Sequence, residues 1–273
     1  MPVAIDVPHS HSDPDHIGRP SLFPSSTALV VGPSIKKAYF PGYPEIEISP
    51  VLAREFAGRE VRELDFSASS LTVGGLKALD YFGDGSFYLL SAPGHSLGHI
   101  NALARTTGDS FLYFAGDTYY HSSALRPHAG ARLPSQVDVP GLCCSGKAFH
   151  TIHPVAGNAD ALGHYGKAIG NLGDDPKKTP FQTISETPSG GAVASYNLQE
   201  ARDTILAVQK FDSRPDVLLI AAHDNSLRNI IDVFPQEAND WLAKGWKQRG
   251  SWLFLADFAK ALELAETSHA TKT

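Results

Sequence analysis

Residue types that bind metal ions occur at three distant places in the chain. The first is the segment His11-Ser12-Asp13-Pro14-Asp15-His16, which holds two imidazoles and two carboxylates within six residues. His95 and Asp117 follow, and then His223, each near the end of an apolar run with strand character. Imidazole and carboxylate together suit zinc, iron or manganese, and loops at strand ends are where a rigid scaffold brings such groups together. The pattern predicts metal-dependent chemistry.

Each of these residues also has an ordinary structural explanation when it is taken alone. The first segment fits a solvated polar turn, His95 a turn histidine bonded to a carbonyl, and His223 a buried structural histidine. Asp117 fits a carboxylate bonded to backbone N–H groups in a turn, although a carboxylate that ends a buried strand is costly unless it is paired or binds a metal. Because these unrelated explanations would all be needed at once, a shared site is favoured.

Strands are the elements that would position these side chains. Hydrophobic patterning predicts strands over residues 3–7, 29–32, 71–82, 86–90, 100–105, 111–115 and 216–222. Residues 36–68 contain Pro41, Pro44 and Pro50, which indicate irregular chain. Asn197 and Glu200 form a capping box before a helical pattern, and short helices are predicted over 226–234, 235–246 and 252–265. Strands followed by helices indicate an α/β or layered α+β protein.

The segment 119–195 is rich in Gly, Pro and Ser and has weak periodicity. A connection of this length inside a compact domain is typical of a functional lid or insertion. We therefore predict that it is a long irregular insertion or lid, with an ordinary polar loop as the alternative. Its candidate substrate contacts are Tyr119, Tyr120, His121, Arg126 and His128.

Composition excludes several classes of function. The net charge of −6 argues against sequence-independent nucleic-acid binding, and no apolar run approaches the roughly 20 residues of a membrane span. The N-terminus lacks the features of a signal peptide. The two cysteines, Cys143 and Cys144, are adjacent and not expected to bridge each other. These features predict a cytoplasmic protein with a small-molecule substrate; the oligomeric state is left open.

The order of the motifs resembles that of the metallo-β-lactamase superfamily. Segment 11–16 corresponds to the family motif H-x-H-x-D-H, and segment 93–99 matches P-G-H-(T/S)-x-G-H. Segment 116–118 matches G-D-(T/S), and His223 matches the late histidine at a strand end. Segments 81–100 and 220–257 are most similar to a lactonase-like fungal branch. The resemblance implies one domain over residues 1–273 with an αβ/βα sandwich fold.

Two divalent metal ions are implied by the same resemblance, with zinc favoured and manganese or iron as alternatives. It implies that His11, Asp13 and His95 hold the first ion, and that Asp15, His16 and His223 hold the second. Asp117 would bridge the two ions, whereas His99 matches a histidine that is not usually a ligand.

The chain departs from the family pattern at two points. Asp13 stands where most members carry histidine, and a carboxylate there shifts metal preference toward manganese or iron. An alternative register uses His9 and His11 but puts Pro14 at a histidine position, so we prefer the register with Asp13. The first motif also begins near residue 11, which leaves room for one preceding strand. An N-terminally truncated domain with an exposed apolar sheet face is therefore expected.

The implied chemistry is hydrolysis of an ester-like or amide-like bond, with a lactone or lactam favoured, by a metal-bound hydroxide. Asp15 would orient the hydroxide or collect its proton. A thioester hydrolase of the same superfamily and a truncated non-catalytic remnant are the alternatives. Metal content separates an enzyme from a remnant.

Overall fold

The computed structural model of the chain describes residues 6–142, 145–156, 175–184 and 195–270, without the side chains of 268–270. Cys143 and Cys144, the first residues of the strand predicted over 3–7, and much of the predicted lid lie outside the described residues. None of the helices in the described ranges is both long and apolar enough to cross a membrane.

Nine strands form two sheets in the described part of the chain. The first sheet is parallel, with the order β1 (Asp6–Pro8), β2 (Ala28–Val31) and β3 (Val61–Glu63). The second has its strands in sequence order: β4 (Thr72–Val73), β5 (Leu76–Asp80), β6 (Phe87–Ser91), β7 (Ile100–Arg105), β8 (Phe111–Phe114) and β9 (Val217–Ile220). Together with the helices, these sheets confirm the predicted α/β fold class.

Strand direction in the second sheet brings three loops to one edge. β7 is antiparallel to both β6 and β8, so β6 and β8 run the same way, and β9 is parallel to β8. The C-terminal ends of β6, β8 and β9 therefore lie at the same edge. The residues that follow these strands include His95, Asp117 and His223.

The ranges that the structure describes also contain six α-helices: α1 (Pro14–Ile17), α2 (Ile35–Tyr39), α3 (Ala53–Phe56), α4 (Leu198–Asp212), α5 (Trp246–Gly250) and α6 (Ala259–Ala270). The predicted start of α4 is confirmed, since Asn197 Oδ1 accepts hydrogen bonds from Gln199 N and Glu200 N. The reciprocal half of the capping box is replaced, because Asn197 N donates to Gly94 O instead.

Several element predictions were wrong, and turn chemistry explains one of them. The strand predicted over 71–82 is divided into β4 and β5, because Gly74 and Gly75 both adopt positive φ and turn the chain. Residues 36–68 contain β3 and two short helices rather than irregular chain alone. The helices predicted over 226–234 and 235–246 are mainly turns, and the C-terminal helix begins at Ala259 after a 3-10 stretch, Leu253–Phe258.

The main core lies between the second sheet and α4. Ile205, Val208 and Phe211 of α4 pack against Tyr113 of β8 and Leu219 of β9. The α4 residues recur at helical spacing, and the strand residues lie on one face of the sheet, so the helix and the sheet each bury one face. The packing fixes α4 across the strands whose ends carry the candidate ligands.

The opposite face of the second sheet is only partly covered. Val30 of the first sheet packs on Leu89 at one side, and Trp241 packs on Leu112 at the other. A cavity of about 410 Å³ remains between these covers, with apolar residues in its lining that include Phe87, Leu89, Ile100, Ala102, Phe114 and Ile220. Among the described residues this apolar face is only partly covered, and Phe114 on it is 41% exposed.

The described parts of segment 119–195 pack on the C-terminal elements. Phe149, Ile152 and Phe181 form a cluster with Phe254 and Phe258. Short 3-10 turns at Ser122–Ala124, Phe149–Ile152 and Pro154–Ala156 interrupt otherwise irregular chain. A lid function for this segment stays a prediction.

A buried ion pair connects the start of this segment to the end of α4. Arg126 Nε donates to Asp212 Oδ2 at 2.8 Å, and His128 Nε2 lies 2.9 Å from the same oxygen. Burial alone would raise the pKa of Asp212, but the Arg126 guanidinium and these hydrogen bonds outweigh it and hold that pKa well below its usual range. The expectation that Arg126 and His128 contact substrate was therefore wrong, since both side chains are committed to Asp212.

We predict that Asp212→Ala lowers the free energy of unfolding by about 3–5 kcal/mol, because it leaves Arg126 buried without its carboxylate. Urea denaturation checks this value. Asp216→Asn is the matched control: its partner Arg214 has a side chain 62% exposed, so the loss should stay below about 1 kcal/mol. Equal losses in the two variants would contradict a structural role for the buried pair.

Candidate metal centre

Seven side chains from four segments converge at the edge of the sheets. Their ligand atoms form three groups, each within 4.8 Å of one another: His11, His16 and Asp117; His11, Asp13 and His95; and Asp15, His16 and His223. All seven residues that the sequence indicates as candidate ligands are thus brought together. The imidazole of His9, on which the alternative register depends, belongs to none of these groups.

The first motif reaches the centre through a tight turn after β1. His11 and Asp13 lie in this turn, and Asp15 and His16 lie in α1, whose first residue is Pro14. Proline suits the first position of a helix because its φ is already helical and no N–H is needed there. The turn and the helix that follows it therefore bring all four side chains to the cluster from six consecutive residues.

Ser10 orients two of the imidazoles. Its Oγ lies 3.1 Å from His11 Nδ1 and 3.1 Å from His16 Nδ1. A hydroxyl oxygen has two lone pairs and can accept from both Nδ1–H groups, which leaves both Nε2 atoms as free lone pairs facing inward. Hydrogen bonds of this kind fix the tautomer of metal-binding histidines.

His95 is fixed by the approach of the α4 N-terminus. Gly94 adopts φ +119°, and a Cβ at this position would clash with the backbone of Ala201. Gly94 O accepts from Asn197 N at 2.9 Å, and His95 O accepts from Tyr196 N at 2.7 Å. Glycine at position 94 is thus required by backbone packing, since only glycine lets the chain pass so close to α4.

Asp117 is the most buried carboxylate of the centre, with 3% of the residue exposed. Its backbone N donates to His99 Nε2 at 3.1 Å, and His99 Nδ1 donates to Ala92 O at 2.8 Å. His99 is therefore neutral and uses both nitrogens behind Asp117, and burial lowers the pKa of His99 to about 3. This position agrees with the expectation that His99 is not a ligand.

The cluster has two halves, the first with His11, Asp13 and His95 and the second with Asp15, His16 and His223. Asp117 contacts both halves. Asp117 Oδ2 lies 3.5 Å from His95 Nε2 and 3.2 Å from His223 Nε2, while Oδ1 lies 3.0 Å from His16 Nε2. The approach of His16 to Oδ1 lacks hydrogen-bond geometry, so this buried oxygen has no hydrogen-bond partner among the described residues. A carboxylate shared in this way has the position of a bridging ligand.

The remaining carboxylates divide between the two halves. Asp13 Oδ2 is 3.5 Å from both His11 Nε2 and His95 Nε2. Asp15 Oδ2 is 3.4 Å from His223 Nε2 and 3.7 Å from His16 Nε2. Each half therefore offers two imidazole nitrogens, one carboxylate of its own and a share of Asp117.

The spacing of the imidazole nitrogens fits metal ligands rather than hydrogen-bonded histidines. His11 Nε2 and His95 Nε2 are 3.3 Å apart, and His16 Nε2 and His223 Nε2 are 3.5 Å apart. Two nitrogens at 2.0–2.1 Å from a tetrahedral zinc lie about 3.3–3.4 Å from each other. Burial, and then the neighbouring imidazoles of His99 and others, lower the pKa of His11 to about 2, so this ring is neutral. The donor set therefore fits two divalent cations.

Tyr120 borders the cluster from the loop after β8. Its OH lies 3.5 Å from His95 Nδ1, and its ring centroid lies 5.1 Å from that of His223. Burial, followed by the carboxylates of Asp117, Asp13 and Asp15, raises the pKa of Tyr120 to about 12. The phenol therefore remains protonated at neutral pH and can donate a hydrogen bond.

The other residues expected to contact substrate have different surroundings. Tyr119 is buried in the main core, and His121 Nε2 lies 3.0 Å from Asp257 Oδ2. A cavity of about 150 Å³ lies beside Asp117 and Tyr120, with Ala124 and other loop residues in its lining. Tyr119 and His121 line this cavity together with Tyr120, and Tyr120 is the one of the three that also contacts His95 and His223.

Ser10 is a positioning residue that the sequence did not reveal. It stands next to His11 in the chain, and a hydroxyl beside a metal-binding histidine commonly bonds the second ring nitrogen. This adjacency is the signal that could have identified it, although many surface residues share it.

Comparison with known proteins gives homologues but no matching protein-family model. Gamma-lactamase FDB1 from Fusarium pseudograminearum (strain CS3096) is 36% identical over 258 residues, covering 91% of this chain and 57% of that protein. Metallo-hydrolase mfmC from Annulohypoxylon moriforme is 37% identical over 262 residues, covering 93% and 61%. Cytochrome P450 monooxygenase mpaDE from Penicillium roqueforti (strain FM164) is 37% identical over 259 residues, covering 93% and 26%.

The chain thus spans about three-fifths of the length of the first two relatives and a quarter of the third. Among solved structures, AiiA from B. thuringiensis aligns with 85% of this chain and 60% of that chain at 12% identity and a TM-score of 0.47. That similarity is too distant to inform the chemistry. The homology over more than nine-tenths of the chain to proteins named gamma-lactamase and metallo-hydrolase confirms the family resemblance that the motifs indicate.

We predict that the purified protein binds about two equivalents of zinc or manganese and that His223→Ala binds about one. The reason is that His223 faces the second half of the cluster only, with His16 and Asp15. Metal analysis after equilibrium dialysis checks the stoichiometry. His9→Gln, the matched control from the other register, should keep both equivalents; loss of metal in this variant would contradict the register with Asp13.

Proposed function

We propose that this chain, which belongs to the metallo-β-lactamase superfamily, is a two-metal hydrolase that opens a lactone or lactam ring. One observation carries the proposal: two imidazole pairs, each with its own carboxylate, face a shared and buried Asp117. The name of the gamma-lactamase relative supports a cyclic amide as substrate, and an ester analogue of such a ring presents the same carbonyl to the site.

Charge balance supports two cations. The cluster contains three carboxylates, and its imidazoles include the neutral His11. Two divalent ions would offset the three negative charges and satisfy the inward-facing nitrogens. When bound, the ions would supply Lewis acidity and lower the pKa of a bound water toward neutrality.

Exposure indicates the side from which substrate and water enter. The side chains of Asp13, Asp15 and His223 are 45%, 59% and 40% exposed, whereas that of His11 is fully buried. We propose that water is held at this exposed side and that Asp15, the most exposed carboxylate of the cluster, accepts its proton.

Tyr120 is placed to stabilise charge on the substrate. Its OH lies beside His95 and Asp117, at the wall of the cavity that adjoins the cluster. A protonated phenol can donate to the carbonyl oxygen as negative charge develops there, which favours the transition state over the ground state. The same wall would orient the ring of the substrate.

Asp13 bears on the identity of the ions. A carboxylate is a harder ligand than the imidazole that most family members have at this position, and it brings negative charge to the first half of the cluster. We propose that zinc occupies the site but that manganese or iron also supports activity. A cytoplasmic location would determine which metal ions are available to the protein, and it stays a prediction from the sequence.

The direct test is hydrolysis of a panel of lactams, lactones and thioesters by the protein after chelation and after reloading. We expect activity on a lactam or lactone to disappear with chelator and to return with zinc, and also with manganese. Activity that survives complete metal removal would contradict the mechanism. Preference for a thioester would reassign the substrate, and a folded protein that binds no metal would indicate a non-catalytic remnant.

We predict that Tyr120→Phe lowers kcat by about 10²-fold, the scale of losing one oxyanion donor, while metal content stays at the wild-type value. Steady-state kinetics with parallel metal analysis measure both quantities. Tyr88→Phe is the matched control, because Tyr88 lies near the N-terminal start of β6, at the end of the strand away from the cluster, and does not line the cavity beside Tyr120. A change in KM with unaltered kcat would limit Tyr120 to substrate binding.

A further inference from the structure

Tyr120 and His223 lie in different loops, and the sheet hydrogen bonds that join these loops end before both residues. Ala115 N donates to Ile220 O at 2.8 Å, and Ala222 N donates to Gly116 O at 3.0 Å. Beyond these bonds, the loops after β8 and β9 need another connection to keep the two side chains at a fixed separation.

Asp224 provides that connection. Its Oδ2 accepts a hydrogen bond from Ser122 Oγ in the loop after β8. Its Oδ1 accepts from Ser226 N at 2.8 Å and from Ser226 Oγ, which caps the 3-10 turn Asn225–Leu227. One carboxylate thus uses one oxygen for each loop. Hydrogen bonds to a charged acceptor are about twice as strong as those between neutral groups.

The Ser122 side of the connection is firmly held. Ser122 is 3% exposed and begins the 3-10 turn Ser122–Ala124. The chain leaving this turn is fixed by Arg126, which bonds Asp212 and, through Nη1, Ser251 O at 2.9 Å. Asp224 is therefore attached to a rigid part of the loop, and it transmits that rigidity to the chain after β9.

The backbone of His223 is consequently held on both sides. Ala222 before it is bonded to Gly116, and Asp224 after it is bonded to Ser122. Tyr120 lies between Asp117 and Ser122 in the other loop. The distance of 5.1 Å between the ring centroids of Tyr120 and His223 depends on both anchors.

We infer that Asp224 is a positioning residue that sets the placement of His223 and Tyr120 through Ser122. The inference rests on the proposed two-metal function. Without the carboxylate, His223 can move away from His16 and Asp15, and Tyr120 can move relative to the substrate carbonyl. Loss of a second-sphere partner of this kind lowers metal affinity or activity by about 10–100-fold.

The test uses Asp224→Asn, which keeps the size of the side chain but replaces one acceptor oxygen with an amide donor. We expect the affinity for the second equivalent of metal, titrated with Zn²⁺ or Co²⁺ alone, to fall about 10–100-fold. The first equivalent should bind as in the wild type. The visible spectrum of the Co²⁺ protein should change for the second equivalent only, which a purely structural role would not produce.

Ser122→Ala removes the same connection from the other loop and leaves Asp224 free to cap the turn after β9. We expect this variant, and Asp224→Asn as well, to lower kcat about 10–100-fold, with a smaller effect on metal affinity in Ser122→Ala. In a double-mutant cycle, the kcat effect of Ser122→Ala should largely disappear in the Tyr120→Phe background, because both substitutions act on the same hydrogen-bond donor.

Asp232→Asn is the matched control, since Asp232 pairs with Lys244 at the surface of the same chain segment. It should bind both equivalents normally. If Asp224→Asn and Ser122→Ala both match the wild type in metal titration and kcat, the inference is wrong. If instead the wild-type protein binds no metal, the proposed function itself fails, whatever the variants do.

Discussion

Electrostatics is the constraint on which the rest of this structure depends. Three carboxylates and four imidazoles converge, and the shared member, Asp117, is almost entirely buried. Burial raises the pKa of Asp117 against the opposing effect of the imidazoles. Such a cluster is unfavourable as bare protein, because a buried anion needs a counter-charge and lone pairs facing each other repel. Cations between the two halves would turn these costs into ligand bonds, and binding of this kind also stabilises the fold.

The fold meets this constraint with strand direction and two close backbone contacts. The ends of β6, β8 and β9 share an edge, so their loops reach the same volume with little intervening chain. Gly94 lets the His95 loop pass against α4, and His99 holds the Asp117 backbone from behind. Ser10 turns two imidazoles inward. The placements of His11, His16, His95 and Asp117 are therefore set by neighbours that are not themselves candidate ligands.

A second buried charge centre supports the first. The ion pair of Arg126 with Asp212 joins the loop after β8 to the end of α4, while Lys247 Nζ donates to the carbonyl oxygens of Asp212, Arg214 and Val217. This centre lies beneath the connection between Ser122 and Asp224. The loops that carry Tyr120 and His223 thus rest on a rigid polar base rather than on apolar packing alone.

The sequence by itself determined the identities of the candidate ligands and the class of fold, because both depend on local information. Alternating and continuous apolar runs define strands, and His95, Asp117 and His223 stand within a few residues of the ends of such runs. The first motif needs no distant partner to be recognised, since its donors lie within six residues. Asn197 likewise signals the start of α4 by its type and position.

Tertiary structure decided what depends on contacts between distant residues. Arg126 and His128 looked like substrate contacts until their bonds to Asp212, more than eighty residues later in the chain, placed them in the interior. The side chain of Tyr120 points toward the candidate ligands and that of Tyr119 into the main core, a difference that only the coordinates show. The roles of Ser10 and Asp224 also needed coordinates, because a hydroxyl or carboxylate acquires a positioning role from what it touches and not from its spacing. Residue type fixes which bonds a side chain can make, and the fold fixes which of them it does make.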